Sequence, residues 1–249
     1  MDPRTLSGWQ GYNPYSSDEL LAIQMNLEAE SAWFTKQNMT FLILPCFDKN
    51  SIYPEYLPWP YADAIGPSRL AQIFEHMKLH SKVQLVDVRQ PLLTAKKLNQ
   101  FDTYFKTDSH WNNIGAFYAY KEIVKRLLIV YPQFVPHNLE DFVLDTNLKR
   151  AGDLAGMANL DVSHILEHQL VSKKNITANR MSPKKDKILI FGDSFSDFFF
   201  KDYFWRHFNE VKYVYGYSNA RYKFDKSTIL QYRPNVVIIE SIERFWINP

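Results

Sequence analysis

Apolar positions along the chain follow two rhythms. Five short runs are apolar at nearly every position: TFLIL (40–44), VQLVDV (83–88), KILIF (187–191), VKYVY (211–215) and NVVIIE (235–240). Runs this short and continuous predict strands buried on both faces of a parallel sheet. Elsewhere the apolar residues recur every three or four positions. In DELLAIQMNLEAESAWFTKQ, Leu20, Ile23, Leu27 and Phe34 share a stripe, with Ser17 near its start. RLAQIFEHMKL and GAFYAYKEIVKRLLIV repeat the pattern, the second aligning Phe117, Tyr120, Val124 and Leu127, and all three segments predict amphipathic helices. Strands alternating with helices predict an α/β fold with a doubly wound, mostly parallel sheet flanked by helices. Functional groups in such folds gather at the carboxyl edge of the sheet.

Residues 131–186 break the rhythm. Pro132, Pro136, Gly152, Gly156 and Pro183 punctuate a polar stretch with no evident strand. It reads as an irregular excursion within one sheet, so the expectation is a single domain over 1–249. FFFKDYFWRHF (198–208) is apolar almost all round, which predicts one buried helix.

A chain of 249 residues can bury a substantial core. Its 29 Lys+Arg against 27 Asp+Glu leave no basic footprint of the kind nucleic acid demands, so no nucleic-acid partner is expected. The single cysteine, Cys46, allows no internal disulfide and ends an apolar run, as a buried inert thiol would. No run approaches the roughly 18 apolar residues of a membrane span, and MDPRTLSGWQ has no signal-peptide character. Those two features alone fit a cytoplasmic protein or an excised soluble portion.

Chemistry enters where KILIF runs into GDSFS. Gly192 permits a sharp turn, and Ser194 falls at the start of the next helix, beside backbone N–H groups. That is a position for a nucleophile with an oxyanion hole, although on this stretch alone the favoured reading is that Asp193 or Ser194 caps the helix. KTDSHWNN shifts the balance. In an extended backbone Asp108 and His110 point the same way, so the carboxylate can hold Nδ1–H and leave Nε2 as a base. A helix would begin near Asn112 or Asn113, and Ser109 would point away from the pair. Trp111 either walls the site or belongs to the core. Arg221 and Glu240, near predicted strand ends, are candidates for lining the cleft, whereas Glu243 and Arg244 read as a structural pair. HILEH (164–168) matches an inverted zinc-protease pattern, but it and HMKLH (76–80) read mainly as amphipathic helix faces, and no metal is expected.

GDSFS together with TDSHW resembles the SGNH hydrolase-like family that includes the bacterial alginate O-acetyltransferases. The order, Asp-x-His before Gly-Asp-Ser, is that of the acetyltransferase branch. Three more segments are similar to that branch: FDKNSIYPEYLP (47–58), RAGDLAGMANL (150–160) and NVVIIESIERFW (235–246). The resemblance runs from about residue 40 to 246. It departs at Ser109, where the family more often has Thr, and at Pro249, beyond which no carbohydrate-binding module is expected.

The resemblance implies an O-acetyltransferase. Ser194 would accept an acetyl group, His110 would serve as general base and acid, and Asp108 would orient His110. A hydroxyl of an alginate-like exopolysaccharide or another cell-surface glycan would then take the acetyl. Ser194 N–H would be one oxyanion donor, with Gly152, Asn159 or Arg221 as the second. No cofactor is needed. A membrane-bound acyltransferase would supply acetyl groups, and the site of action would be periplasmic. A carbohydrate acetylesterase with the same three residues and a non-catalytic polysaccharide-binding subunit stay open as alternatives, with a zinc peptidase as a remote third.

Overall fold

The structure, a computed structural model, describes residues 3–59, 61–63, 66–98, 101–172, 186–197, 199–215 and 225–247. It opens with helices α1 (Pro3–Gln10) and α2 (Ser17–Lys36), strand β1 (Thr40–Cys46) and the short helix α3 (Lys49–Ile52). Helices α4 (Arg69–His80), α5 (Arg89–Leu98) and α6 (Asn113–Leu127) follow. Then come β2 (Phe142–Lys149), α7 (Asp153–Met157) and β3 (Leu166–Ser172). The chain closes with β4 (Lys187–Gly192), α8 (Ser194–Asp197), β5 (Glu210–Tyr215), α9 (Lys226–Tyr232), β6 (Val236–Ile242) and α10 (Glu243–Ile247). Strands β1, β6, β4 and β5, in that order, make a parallel sheet, with helices flanking it as the alternating pattern predicts.

Strand composition tracks position in the sheet. β6 lies between β1 and β4 and is buried at every residue, whereas β5, at the edge, is half-buried or exposed throughout. The run at 83–88 was expected to be a strand and contributes a single parallel bridge, Leu85 on Ile43. Its backbone is diverted locally: Val83 N–H donates to Ser81 Oγ and Leu85 N–H to Val83 O, so no ladder extends.

Helix ends follow side-chain chemistry. Ser16 and Glu19 form a reciprocal capping box that starts α2. At the far end of that helix Phe34 stacks on Phe41 of β1, with ring centroids 4.1 Å apart. Asn112 caps α6, its Oδ1 accepting from Ile114 N–H and Gly115 N–H. The predicted stripe of Phe117, Tyr120, Val124 and Leu127 is buried.

Two further expectations are corrected. FFFKDYFWRHF is not one helix: α8 stops, Phe199 takes a left-handed φ of 70°, and a 3-10 turn runs from Phe200 to Arg206. Phe200, Tyr203, Phe204 and Phe208 are still buried. The 131–186 excursion does hold strands, since β2 and β3 pair as an antiparallel hairpin with a bulge between Asp145 and Leu148. Val143, Leu144, Leu166 and Val171 are exposed, so the hairpin lacks the burial that makes strands stand out in sequence.

Candidate functional site

Ser194 stands just past the carboxyl end of β4, in a turn fastened to β6. Glu240 Oε2 accepts from Asp193 N–H at 3.0 Å and from Ser196 N–H at 3.1 Å. Asp193 accepts from Phe195 N–H at 2.8 Å with Oδ1 and from Ile242 N–H at 2.9 Å with Oδ2. Gly192 is needed for closeness: a Cβ there would lie 2.4 Å from Ser196 Oγ and 2.6 Å from Glu240 Oε2. Burial pushes both the Asp193 and Glu240 carboxyls up, and the neighbouring charge of Asp193 adds to the rise at Glu240. Glu240 thus lies buried beneath the turn and does not line the cleft as expected.

The Asp-His segment is bent where an extended backbone was predicted. Asp108 Oδ1 accepts from His110 N–H at 3.1 Å and meets His110 Nδ1 at 2.6 Å, so one carboxylate oxygen folds the backbone and holds the ring. His110 Nε2 lies 2.6 Å from Ser194 Oγ. With Nδ1 bearing the proton toward Asp108, Nε2 is the acceptor for the serine hydroxyl. Burial raises the Asp108 carboxyl, but hydrogen bonds from His110 and Arg150 outweigh it and hold the group well below the usual carboxylate range. Trp111 is fully buried and donates to Phe195 O at 2.8 Å. It pins the Asp-His loop to the serine turn and is core, not wall.

Much of what grips this loop was not singled out in the sequence. Arg150, at the end of β2, donates to Asp108 Oδ2 at 2.6 Å. Asp153, opening α7, accepts from Ser109 N–H at 2.6 Å and from Ser109 Oγ at 2.5 Å. Ser109 was expected to point away; its hydroxyl instead secures Asp153, whose Oδ2 stands 3.7 Å from His110 Nδ1. Glu167, fully buried on β3, accepts from Lys106 N–H, Thr107 N–H and Thr107 Oγ1. Lys49 Nζ donates to the carbonyls of Phe105, Lys106 and Asp108, one for each of its three protons. The sequence signals for these residues were the family-like segments around Lys49 and 150–160 and, for Glu167, the HILEH stretch that was read as a helix face.

The remaining candidates separate clearly. Gly152 N–H is taken by Thr107 Oγ1 at 3.1 Å, so it is not the second oxyanion donor; its lack of a side chain lets Asp108 approach. Asn159 is exposed with φ 51°, and its side chain makes no hydrogen bond among the described residues. Arg221 lies outside the described residues. Ser194 N–H has no acceptor among the described residues, while its neighbours on Asp193, Phe195 and Ser196 all do. Glu243 and Arg244 do not pair with each other. Both meet Asp48, Arg244 at its Oδ1 and Glu243 at its backbone N–H. HILEH is not helical: His164 is in a turn and His168 in β3, so the zinc-like spacing dissolves. His76 and His80 do lie on α4, as expected, with rings 4.7 Å apart. Asp108, His110 and Asp153 each bring a ligand-type atom within 4.8 Å of the others. Those atoms are engaged in the bonds just described, so the cluster is a hydrogen-bonded line.

Residues 14–214 match the model of the SGNH hydrolase-like domain of the acetyltransferase AlgX. The chain belongs to this family. Solved structures with the same fold include PatB1 of Bacillus cereus, at 14% identity over 92% of this chain and 93% of that one, with a TM-score of 0.63. The O-acetyltransferase domain of Pseudomonas putida AlgJ aligns at 15% identity over 94% and 87%, with a TM-score of 0.56. AlgX of Pseudomonas aeruginosa aligns at 14% identity and a TM-score of 0.54 over 88% of this chain but 56% of its own. No curated protein matches the chain in sequence. No helix among the described residues is long and apolar enough to cross a membrane.

Proposed function

We propose that this SGNH hydrolase-like protein moves an acetyl group onto a glycan hydroxyl through an acetyl-serine intermediate. The observation that carries the reading is the continuous line Ser194 Oγ–His110 Nε2 and His110 Nδ1–Asp108, each contact 2.6 Å. His110 takes the Ser194 proton as Oγ attacks the acetyl carbonyl, and returns it to the departing group of the donor ester. Asp108 fixes the tautomer and stabilises the imidazolium that forms. Ser194 N–H faces the charge that develops on the carbonyl oxygen. In the second half, His110 takes a proton from the acceptor hydroxyl, whose oxygen attacks the acetyl-serine, and returns that proton to Ser194 Oγ as the ester bond to serine breaks.

Family membership supports acetyl transfer to a polysaccharide, alginate-like or another surface glycan. The same kinship carries the expectation of work outside the cytoplasmic membrane, with a membrane-bound acyltransferase supplying acetyl groups. Intact-protein mass spectrometry after incubation with a chromogenic acetyl ester tests the chemistry. An acetyl adduct in wild type that is lost in Ser194→Ala is the expected result. Transfer to added oligosaccharides marks a transferase, and release of acetate regardless of acceptor marks an esterase. A folded protein with neither adduct nor turnover across several acyl donors would be a binding subunit.

A further inference from the structure

The imidazole of His110 is approached by two carboxylates. Asp108 Oδ1 sits at 2.6 Å from Nδ1, and Asp153 Oδ2 at 3.7 Å from the same atom. A line of serine, histidine and one acid needs a single negative charge to balance the imidazolium. A second negative charge strengthens the ring's hold on its proton and lowers the share of free base at a given pH. Arg150 meets this excess. Its Nη2 is 2.6 Å from Asp108 Oδ2, the oxygen turned away from the ring, and its guanidinium lies 4.4 Å over the Phe105 ring. The local sum of Asp108, Asp153 and Arg150 is therefore one negative charge.

Among the described residues, the other charged groups near the ring come from the serine turn, α3 and the Asp-His loop. Asp193, across in the serine turn, is pushed up by burial and drawn down by the N–H bonds of Phe195 and Ile242, by the Glu240 side chain and by His110. Its own charge raises the Glu240 carboxyl, and this buried pair is the same in every variant below. Lys49, from α3, meets the backbone carbonyl of Asp108 and is offset by buried Glu167 of β3. Lys106 is drawn off toward Leu166 O and Asp102.

We propose that Arg150 and Asp153 are opposed positioning residues that set the basicity of His110, Asp153 strengthening its hold on a proton and Arg150 weakening it. The inference rests on the serine–histidine chemistry proposed above. It assigns a role to charges that the three-residue line does not contain. Both residues come from the stretch joining β2 to α7, so the excursion would tune the base as well as brace it. Neither needs to touch the acetyl group or the acceptor.

Opposite signs make the test sharp. The acid limb of kcat/KM against pH, measured with a chromogenic acetyl ester, reports the free enzyme's base. Arg150→Met leaves two negative charges unopposed and is expected to move that limb up by about one pH unit. Asp153→Asn keeps an acceptor for Ser109 N–H but removes the charge, and is expected to move the limb down by about one unit. Arg150→Lys restores the charge and should return the limb close to wild type, and the Arg150→Met/Asp153→Asn double variant should lie between the singles. A purely structural role would lower kcat without moving either limb. That result, with turnover still lost in Ser194→Ala, overturns the inference while leaving the acyl-serine reading intact. If wild type lacks turnover the acyl-serine reading fails on its own, and NMR titration of the His110 ring reads the same two shifts directly. Should Arg150→Met not fold, Asp153→Asn carries the decision by its downward shift or the lack of one.

Discussion

At the scale of the residue, the site is governed by how closely backbones approach. Gly152 resembles a family glycine and was expected to offer its N–H to an oxyanion, but the constraint here is space. A Cβ would lie 2.4 Å from both Asp108 Cβ and Thr107 O. Gly152→Ala is therefore expected to push Asp108 away from His110 and lower kcat about a hundredfold, the order expected for an ångström-scale misplacement. Gly156, four residues on, has nothing within 4 Å of its Cβ position. Gly156→Ala should leave kcat unchanged, and steady-state kinetics on the two variants separates a steric role from a general loss of stability. Asp108, His110 and Ser194 could be named from the sequence because they are reactive residue types standing in short, recognisable motifs. Arg150, Asp153 and Glu167 are common charged residues whose importance comes only from what they touch.

At the scale of the element, the β2–β3 hairpin is a brace. Asn113 Nδ2 donates to Leu170 O at 2.5 Å and its Oδ1 accepts from Leu170 N–H at 2.7 Å, docking β3 on the first turn of α6. Two residues before the docking point, His168 Nδ1 accepts from Asp102 N–H, and Glu167 takes the amides at 106 and 107. Glu167→Ala would strand two buried or half-buried N–H groups and leave the Thr107 hydroxyl to donate only to Arg150 O, at 3.3 Å. The expected cost is about 3 kcal/mol, together with reduced turnover from a loosened Asp-His loop. Urea unfolding checks it: the midpoint should fall with the m-value unchanged. This brace was not visible in the sequence because its strands are half exposed and bulged, so neither a continuous nor an alternating apolar pattern marks them.

At the scale of the whole molecule, buried ionisable groups set how stability depends on pH. His207 is packed against Phe134 and shares a 2.7 Å hydrogen bond with Tyr120. Burial, helped by nearby His137 and Arg206, pushes its pKa down to about 3. Unfolded, it would titrate near 6.5. Between those values the unfolded chain binds the extra proton, so stability falls as pH drops below about 6.5, with a limiting slope near 1.4 kcal/mol per pH unit. Glu243 acts the other way. Burial, reinforced by the charge of Asp48, raises its pKa to about 7, so its contribution is full below about 4.5 and is lost as pH rises through 7. Thermal melts from pH 4 to 7 should show a shallower acid flank in His207→Gln than in wild type, even though the variant weakens the Tyr120 contact and melts lower at neutral pH.

By itself the sequence determined the alternation of strands and helices, the burial of β1, β4 and β6, and the three side chains most able to carry acyl chemistry. These are encoded locally, by apolar period and by residue types whose reactivity is their own. Tertiary structure alone decided that Trp111 and Glu240 are supports, that Gly152 yields space and not a hydrogen bond, and that the excursion carries a hairpin. It alone brought Arg150 and Asp153 to His110. Charge and hydrogen bonding act over a few ångströms in space, and the more than 40 positions that separate Asp108 from Arg150 and His110 from Asp153 leave those contacts unwritten in any local pattern.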